Sequence, residues 1–302
     1  MLLQHIQFDA LVNNTNNNCQ RLFHGRGHAY PGFEHISIDW LSPVILITLH
    51  KEVESIWLQK IARQLIEIVT ECQSVQVQYR CRDKAPFEIL QGQNISETIV
   101  AENDLKYHIQ LGKSQNTGLF LDMANGRSWL KERAKNKNIL NLFSYTCPFS
   151  IAAIAGGAKQ VINIDNNKSV LSKGRENHRL NKQNTKLVKF EPVDIFKSWS
   201  RIKKYAPYDI LICDPPSFQA GSVNIKRDYK KIISRIPQFM NQNSDIMLCL
   251  NSPDLATDFL LQQVEEHCPE CQYIESIAPP NVFKEAEIGK GLKVLTFHYT
   301  PV

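Results

Sequence analysis

From Ile139 onward, short apolar runs of strand length alternate with helical stretches, and that alternation leaves few folds open. Ile139-Leu140-Asn141-Leu142-Phe143, Val161-Ile162-Asn163-Ile164, residues 187–190, Tyr208-Asp209-Ile210-Leu211-Ile212-Cys213 and residues 246–250 read as five strands. Helical segments follow over 151–155, around Val170, Leu171 and Leu180, after Asp194, over 229–240 and over 255–264. Strands that are apolar throughout need cover on both faces, and crossover helices supply it. The spacing predicts an α/β fold: a doubly wound, mostly parallel sheet. Strands near 273–277 and 292–299, with no helix between them, add an antiparallel edge and bring the sheet to seven strands.

The first 121 residues follow a different grammar. Asn13-Asn14-Thr15-Asn16-Asn17-Asn18 has nothing to bury and reads as a loop. Ile36, Ile38 and Trp40 alternate, Leu41-Ser42-Pro43 turns, and Val44-Ile45-Leu46-Ile47-Thr48-Leu49 returns as a strand. Ile56, Trp57, Ile61, Leu65, Ile68 and Val69 recur at helical spacing. Further strands are expected around 75–79, 87–90, 99–101 and 105–111. The chain thus divides into a small α+β domain, 1–121, and the wound sheet, 122–302.

Composition narrows the setting. Hydrophobic residues make up 43% of the 302 and charged residues 22%, which is enough for packed cores. No apolar run approaches the ~18 residues that span a bilayer, and the N-terminus lacks a secretion-signal pattern. Eight cysteines are scattered without a framework, so a reduced, cytoplasmic compartment is expected. The net charge of +5 hides a polarity: residues 127–235 hold 22 Lys and Arg against 8 Asp and Glu. Such a surplus attracts a polyanion, although solvated helix faces alone would also account for it.

In a doubly wound sheet, ligands bind at the carboxyl ends of the strands where strand order reverses. The first strand delivers Phe143-Ser144-Tyr145-Thr146-Cys147-Pro148 to that place, and the second ends at Asp165, with Asn166 next to it. A carboxylate about 20 residues after the first-strand loop can take both hydroxyls of a ribose. Asp194 and Ile195 follow the third strand, and Asp214-Pro215-Pro216-Ser217-Phe218 the fourth. Two prolines fix the backbone and donate nothing, which leaves nearby carbonyls to accept from an incoming group. Each aspartate alone reads equally as a helix cap.

Taken together, these residues resemble class I S-adenosylmethionine-dependent methyltransferases, and within them the enzymes that methylate bases of large-subunit ribosomal RNA at cytosine C5 or guanine N7. The resemblance is carried by Thr117-Gly118-Leu119-Phe120-Leu121-Asp122, Arg127, residues 140–146, Ala155-Gly156-Gly157-Ala158, Asp165, Asn177, Asn181 and residues 214–218. It implies a Rossmann-like methyltransferase sheet, S-adenosylmethionine as cofactor and ribosomal RNA as partner, with 1–121 as an RNA-substrate domain. It further implies that Phe143, Ser144, Tyr145 and Thr146 line the methionine and ribose, that Asp165 and Asn166 meet the ribose, and that Asp194 and Ile195 flank the adenine. Phe120, Asp122 and Arg127 would pack over the cofactor, with Arg127 either holding its carboxylate or standing as a surface helix residue. Asp214, Pro215, Pro216 and Ser217 would face the sulfonium and target base.

One departure stands out: Cys147 and Pro148 occupy positions where the resemblance calls for glycines, which permit positive φ and close backbone approach. The cysteines also bear on the target atom. Cytosine C5 becomes nucleophilic only after a thiolate adds to C6, and in the resembling C5 enzymes that cysteine would fall at Leu250, one place after Cys249. Cys249 and Cys213 read as buried filler, and the lone Cys268-Pro269-Glu270-Cys271 lacks the partners of a zinc site, so no metal is expected. Nitrogen methylation is therefore the expectation. Lys226, Arg227, Tyr229, Lys230 and Lys231 are the expected RNA contacts, ahead of the cluster His24, Arg26, His28 and Tyr30. Methylation of a protein or small molecule, and a non-catalytic RNA-binding relative, remain open on the sequence.

Overall fold

A computed structural model of the 302-residue chain describes residues 2–6, 18–216, 218–219, 223–287 and 289–301. Asn13–Asn17 of the expected loop and Ser217 of the expected site lie outside them. The chain divides into two compact units, Met1–Asp122 with Pro280–Glu287, and Met123–Pro279 with Ile288–Val302. The return of 280–287 to the first unit has no signal in the sequence pattern.

The first unit is built on a five-stranded sheet, in sequential order, of β1 (Gln20–His24), β2 (Ile36–Leu41), β3 (Val44–Leu49), β4 (Ser74–Tyr79) and β5 (Phe87–Gly92). β3 and β4 run parallel because the helix Ser55–Ile68 carries the chain back between them; the other neighbours are antiparallel. Ile36, Ile38, Trp40, Ile45, Ile47, Val75 and Val77 pack on Leu58, Ile61 and Leu65 of that helix. The opposite face is polar yet buried: Ser37, Thr48, Gln76 and Gln78. Gln76 donates to the Ile95 carbonyl at 2.7 Å and Gln78 to that of Gln115 at 3.0 Å. A separate hairpin, β6 (Glu97–Glu102) and β7 (Leu105–Gln110), turns through Asn103 and Asp104, both at positive φ as a primed turn requires. β1 itself was not expected from the sequence.

The second unit carries β8 (Asn138–Leu142), β9 (Gln160–Asp165), β10 (Val188–Pro192), β11 (Tyr208–Cys213), the short pair β12 (Phe218–Gln219) and β13 (Val223–Asn224), β14 (Met240–Asn251), β15 (Cys271–Ser276) and β16 (Leu292–Tyr299). Its main sheet has seven strands in the order β10-β9-β8-β11-β14-β16-β15. The first five are parallel, and β16 is antiparallel to both neighbours. The antiparallel element thus lies inside the sheet, with β15 at its edge. Leu140, Leu142, Ile162, Leu211, Ile246 and Leu248 pack one face, and Ile139, Val161, Ile210, Ile212, Met247 and Cys249 the other, which is why these runs are apolar throughout.

Three elements differ from the sequence expectation. The helix expected over 229–240 is two, Ile225–Ile233 and Ile236–Phe239, because Pro237 cannot donate and its ring would meet the carbonyl four residues back. The helix after Asp194 is a 3-10 turn, Ile195–Lys197, followed by the short helix Trp199–Lys203. A further helix, Ala124–Arg133, precedes β8.

Candidate functional site

The chain enters the parallel sheet at β8, winds outward through β9 and β10, and returns to β11 on the other side of β8. The reversal falls between β8 and β11, where a wound sheet leaves its crevice. Strand register aligns the ends: Glu191, Ile164, Leu142, Cys213 and Leu248 form one row across β10, β9, β8, β11 and β14. In the next position Asp165 pairs with Pro192, and Phe143 and Asp214 are the first residues beyond the ends of β8 and β11. Asp165 and Asp214 therefore share one edge of the sheet.

The loop after β8 is unusually wound. Phe143, Tyr145 and Cys147 all adopt positive φ, at 57°, 48° and 63°. Non-glycine residues there cost roughly 1–2 kcal/mol each, so neighbouring groups must impose the conformation. Ser144 donates its N–H to the Ile164 carbonyl at 3.1 Å, Cys147 to that of Ser144 at 2.7 Å, and Tyr145 to Asp165 Oδ2 at 3.0 Å. The Asn177 amide donates to the Thr146 carbonyl at 3.2 Å. Cys147 takes the left-handed conformation otherwise suited to glycine, and Pro148 fits as the first residue of the helix Pro148–Ala155. The Cys147 thiol is fully buried and its pKa is raised strongly by that burial, so it stays protonated.

Asp165 is not a helix cap. Asn167 caps the helix Lys168–Leu180, its side chain accepting from the Ser169 and Val170 N–H groups. That frees the Asp165 carboxylate to receive Tyr145 N–H on one oxygen and Asn167 N–H, at 2.9 Å, on the other. Each oxygen keeps a further acceptor site. Burial raises the pKa of this carboxyl, and the two N–H bonds pull it back. Asn166 is exposed beside it. Asp194, by contrast, is a cap: it accepts from Phe196 N–H at 2.8 Å, and Ile195 is buried in the core. Asp214 is half-buried, Pro215 buried and Pro216 exposed. Arg127 is 3% exposed within the helix Ala124–Arg133, which removes the surface reading. Phe120 and Asp122 belong to the first unit.

The expected RNA contacts separate. Tyr229 is 1% exposed, and its hydroxyl donates to the Cys213 and Cys249 carbonyls, tying β11 to β14. It cannot stack on a base, which corrects that expectation. Arg227 and Lys231 both hold the buried Asp228 carboxylate at 2.8 Å, depressing its pKa strongly. Lys226 and Lys230 are exposed. Cys249 and Cys213 are fully buried; Cys249 packs with Ile212, Met247 and Val294, while Leu250 faces the other core. The sulfurs of Cys268 and Cys271 are 3.3 Å apart, and no group of three metal-ligating side chains occurs among the described residues. No helix among them is long and apolar enough to cross a membrane.

Sequence reasoning missed a buried polar chain beneath the loop. Asn141 donates to Asn163 at 2.8 Å, Asn163 to Ser150 Oγ at 2.9 Å, and Ser150 meets His178 Nε2 at 2.9 Å. His178 Nδ1 meets Gln183 Oε1 at 2.6 Å, and the Gln183 amide donates to the Ile151 carbonyl. The amide fixes Oε1 as acceptor, so Nδ1 carries the proton and Nε2 accepts from the Ser150 hydroxyl. Burial lowers the His178 pKa to about 4, which matches this neutral tautomer. The available signal was an asparagine in the middle of each of two apolar strands.

The donor set fits an adenosine-bearing sulfonium cofactor: a pre-oriented carboxylate with two open acceptor sites, a second half-buried carboxylate on the same edge, and a buried guanidinium in the same unit. Residues 20–298 match the family described as S-adenosylmethionine-dependent methyltransferase. Ribosomal RNA large subunit methyltransferase I of Escherichia coli (strain SMS-3-5 / SECEC) is 26% identical over 266 residues, covering 85% of this chain and 66% of that protein. The same-named protein of Tolumonas auensis is 32% identical over 173 residues, 56% of this chain and 43% of that one. The matched stretch thus spans less than two thirds of either relative. A solved methyltransferase complexed with SAH superposes with a TM-score of 0.88 over 98% of this chain and 80% of that one, at 22% identity, a likeness of fold. Fold, rim geometry and family match agree, and the chain belongs to the S-adenosylmethionine-dependent methyltransferases.

Proposed function

We propose that the protein methylates a base of ribosomal RNA, at nitrogen rather than at cytosine C5, in the cytoplasm. The observation that carries the methyl-transfer reading is the common edge shared by Asp165 and Asp214, with the wound loop 143–147 between them in sheet order. Bound there, S-adenosylmethionine supplies an electrophilic methyl group. Asp165, with Asn166 nearby, takes the ribose hydroxyls; the loop Phe143, Ser144, Tyr145 and Thr146 lines the ribose and methionine. Asp194 and Ile195 flank the adenine, and Arg127 holds the methionine carboxylate through its fork of donors. Asp214, Pro215 and Pro216 position the target base through acceptors for its N–H groups, which hold the reacting nitrogen lone pair in line, with Ser217 following them in sequence. Alignment of this kind supplies much of the rate, since a nitrogen lone pair needs no covalent activation.

Two observations favour nitrogen and RNA. Cys249 is fully buried, its neighbour Leu250 carries no thiol, and the Cys147 thiol is held protonated, so no cysteine among the described rim residues is poised to add to a pyrimidine. The basic surplus of residues 127–235, with Lys226 and Lys230 exposed just beyond the Asp-Pro-Pro loop, suits phosphate contacts, and the relatives are named for ribosomal RNA. The test is incubation with isotopically labelled S-adenosylmethionine and deproteinised large-subunit ribosomal RNA, then mass spectrometry of nucleosides. A labelled N-methylated base is expected. Labelled 5-methylcytidine would overturn the nitrogen assignment, and label in no nucleoside would overturn the RNA reading.

A further inference from the structure

On and just beyond the polar face of the first unit's sheet, three guanidinium groups act on two neutral imidazoles, Arg21 touching His24 at 2.7 Å. Arg21 and His24 stand on β1, Arg26 in the turn Gly25–Gly27 that follows, His50 just after β3 and Arg80 just after β4. Register aligns His24, Ser37, Thr48 and Gln78 across the four strands, and Arg26, His50 and Arg80 each follow a member of that row by two residues. His50 is pushed down to about 4 by burial and then by Arg26, Arg80 and Arg21; His24 goes to about 3 by burial, Arg21 and Arg26. Both imidazoles are therefore uncharged at neutral pH, and the local charge belongs to the arginines.

The three arginines outnumber the two carboxylates near them, Asp39 and Glu285. Arg21 is paired with Asp39, and Glu285 lies 3.6 Å from the His24 ring. Arg80 instead donates to neutral acceptors: Gln78 Oε1 at 3.1 Å, the Gln115 carbonyl at 2.8 Å and Asn116 Oδ1 at 3.3 Å. These bonds hold its planar fork in place without neutralising it. Arg26 is exposed, and among the described residues neither it nor Arg80 forms a direct ion pair, although Asp39, paired with Arg21, also acts on Arg80 through space. Arg80 spends Nε and Nη2 on these acceptors and keeps Nη1 to donate, and with the exposed Arg26 and the buried polar residues Ser37, Thr48 and Gln78 of this face it suits single contacts to the phosphates of a nucleic-acid backbone. Arg82, two residues on, shows the contrast: Glu52 holds its fork at 2.7 and 2.8 Å.

We propose that Arg26 and Arg80 anchor the RNA substrate on the first unit, each contacting a phosphodiester of the RNA backbone. The proposal rests on the RNA reading above and deepens it by locating a second anchor, on a different unit from Lys226 and Lys230. Phosphates held here release counterions, so each contact steepens the salt dependence of binding.

The test measures binding of the full chain to deproteinised large-subunit ribosomal RNA across a salt series, with cofactor affinity followed in parallel by calorimetry. Arg26→Gln/Arg80→Gln should weaken RNA binding at least tenfold and lower the log–log salt slope by about 1.5, two phosphates at ~0.7–0.9 each. Cofactor affinity should stay within twofold, and Arg82→Gln should bind RNA as the wild type does. Arg26→Glu, at an exposed position, gives the same reading where Arg80→Gln costs folding. An unchanged slope in Arg26→Glu and the double variant, or an equal loss in Arg82→Gln, would overturn this site while leaving the RNA reading intact. A wild type that does not bind the RNA would overturn both.

Discussion

The sulfur of Cys147 fills the space that a side chain on Gly174 would need. The two positions are matched: a cysteine stands in the left-handed conformation after β8, and the facing helix keeps a glycine to receive it. Gly174→Ala should therefore cost about 1–3 kcal/mol by overpacking and weaken cofactor binding several-fold, since the displaced loop also carries Tyr145 and Thr146. Combining it with Cys147→Gly should restore most of both. Urea unfolding with calorimetry reads the pair; a Gly174→Ala protein as stable as the wild type would show that the contact is slack.

Asp165 ties the loop to β9 through Tyr145 N–H and lies partly desolvated, with its pKa raised above the usual 3.8. An acid raised in the folded state favours protonation there, so acidification removes no stability through this residue. Cofactor affinity should behave oppositely, because the ionised carboxylate is the better acceptor. Wild-type affinity should hold at neutral pH and fall as acid approaches the raised pKa. Asp165→Asn should bind more weakly and with a flat profile; a profile that still bends with pH would assign the titration elsewhere.

His178 is buried neutral, with a pKa lowered to about 4. For a histidine lowered below its unfolded value of 6.5, stability is complete above 6.5 and is lost as pH falls toward 4. The full shift corresponds to about 3 kcal/mol. His24 and His50 are lowered in the same direction in the first unit, so the comparison of wild type with His178→Gln isolates this residue. The variant should be less stable at pH 7 and lose less on acidification. Parallel curves would place the proton uptake elsewhere.

Tyr229 offers its hydroxyl to two strand carbonyls from inside the core. Tyr229→Phe should cost about 0.5–1.5 kcal/mol, the ordinary worth of a buried hydrogen bond, and leave the salt dependence of RNA binding unchanged. A fall in the salt slope would return Tyr229 to the RNA surface, against its burial.

The wound sheet was legible because both its faces are buried, so each strand is an uninterrupted apolar run. Asp165 and Asp214 were legible for a related reason: each is the first carboxylate after such a run ends. What the pattern concealed lies in tertiary partners. Arg127 reads equally as a surface cation and as a carboxylate ligand because its burial depends on packing that helical spacing does not encode. Tyr229 reads as an RNA contact because lysines flank it, yet Ile225, Tyr229 and Ile232 fall on one face of the helix Ile225–Ile233, and that periodicity was the stronger signal. Asn167, rather than Asp165, caps the following helix, a choice between neighbouring residues that composition leaves open. The strand β16 enters between β14 and β15, where chain order alone would set the last strand at the edge.

Calorimetric titration of S-adenosylmethionine into the wild type and Asp165→Ala tests most directly whether the aligned ends of β8, β9 and β11 hold this cofactor. One site per chain is expected in the wild type, with affinity at least tenfold weaker in the variant. Equal affinity in the two proteins, or no binding to the wild type, would contradict the account.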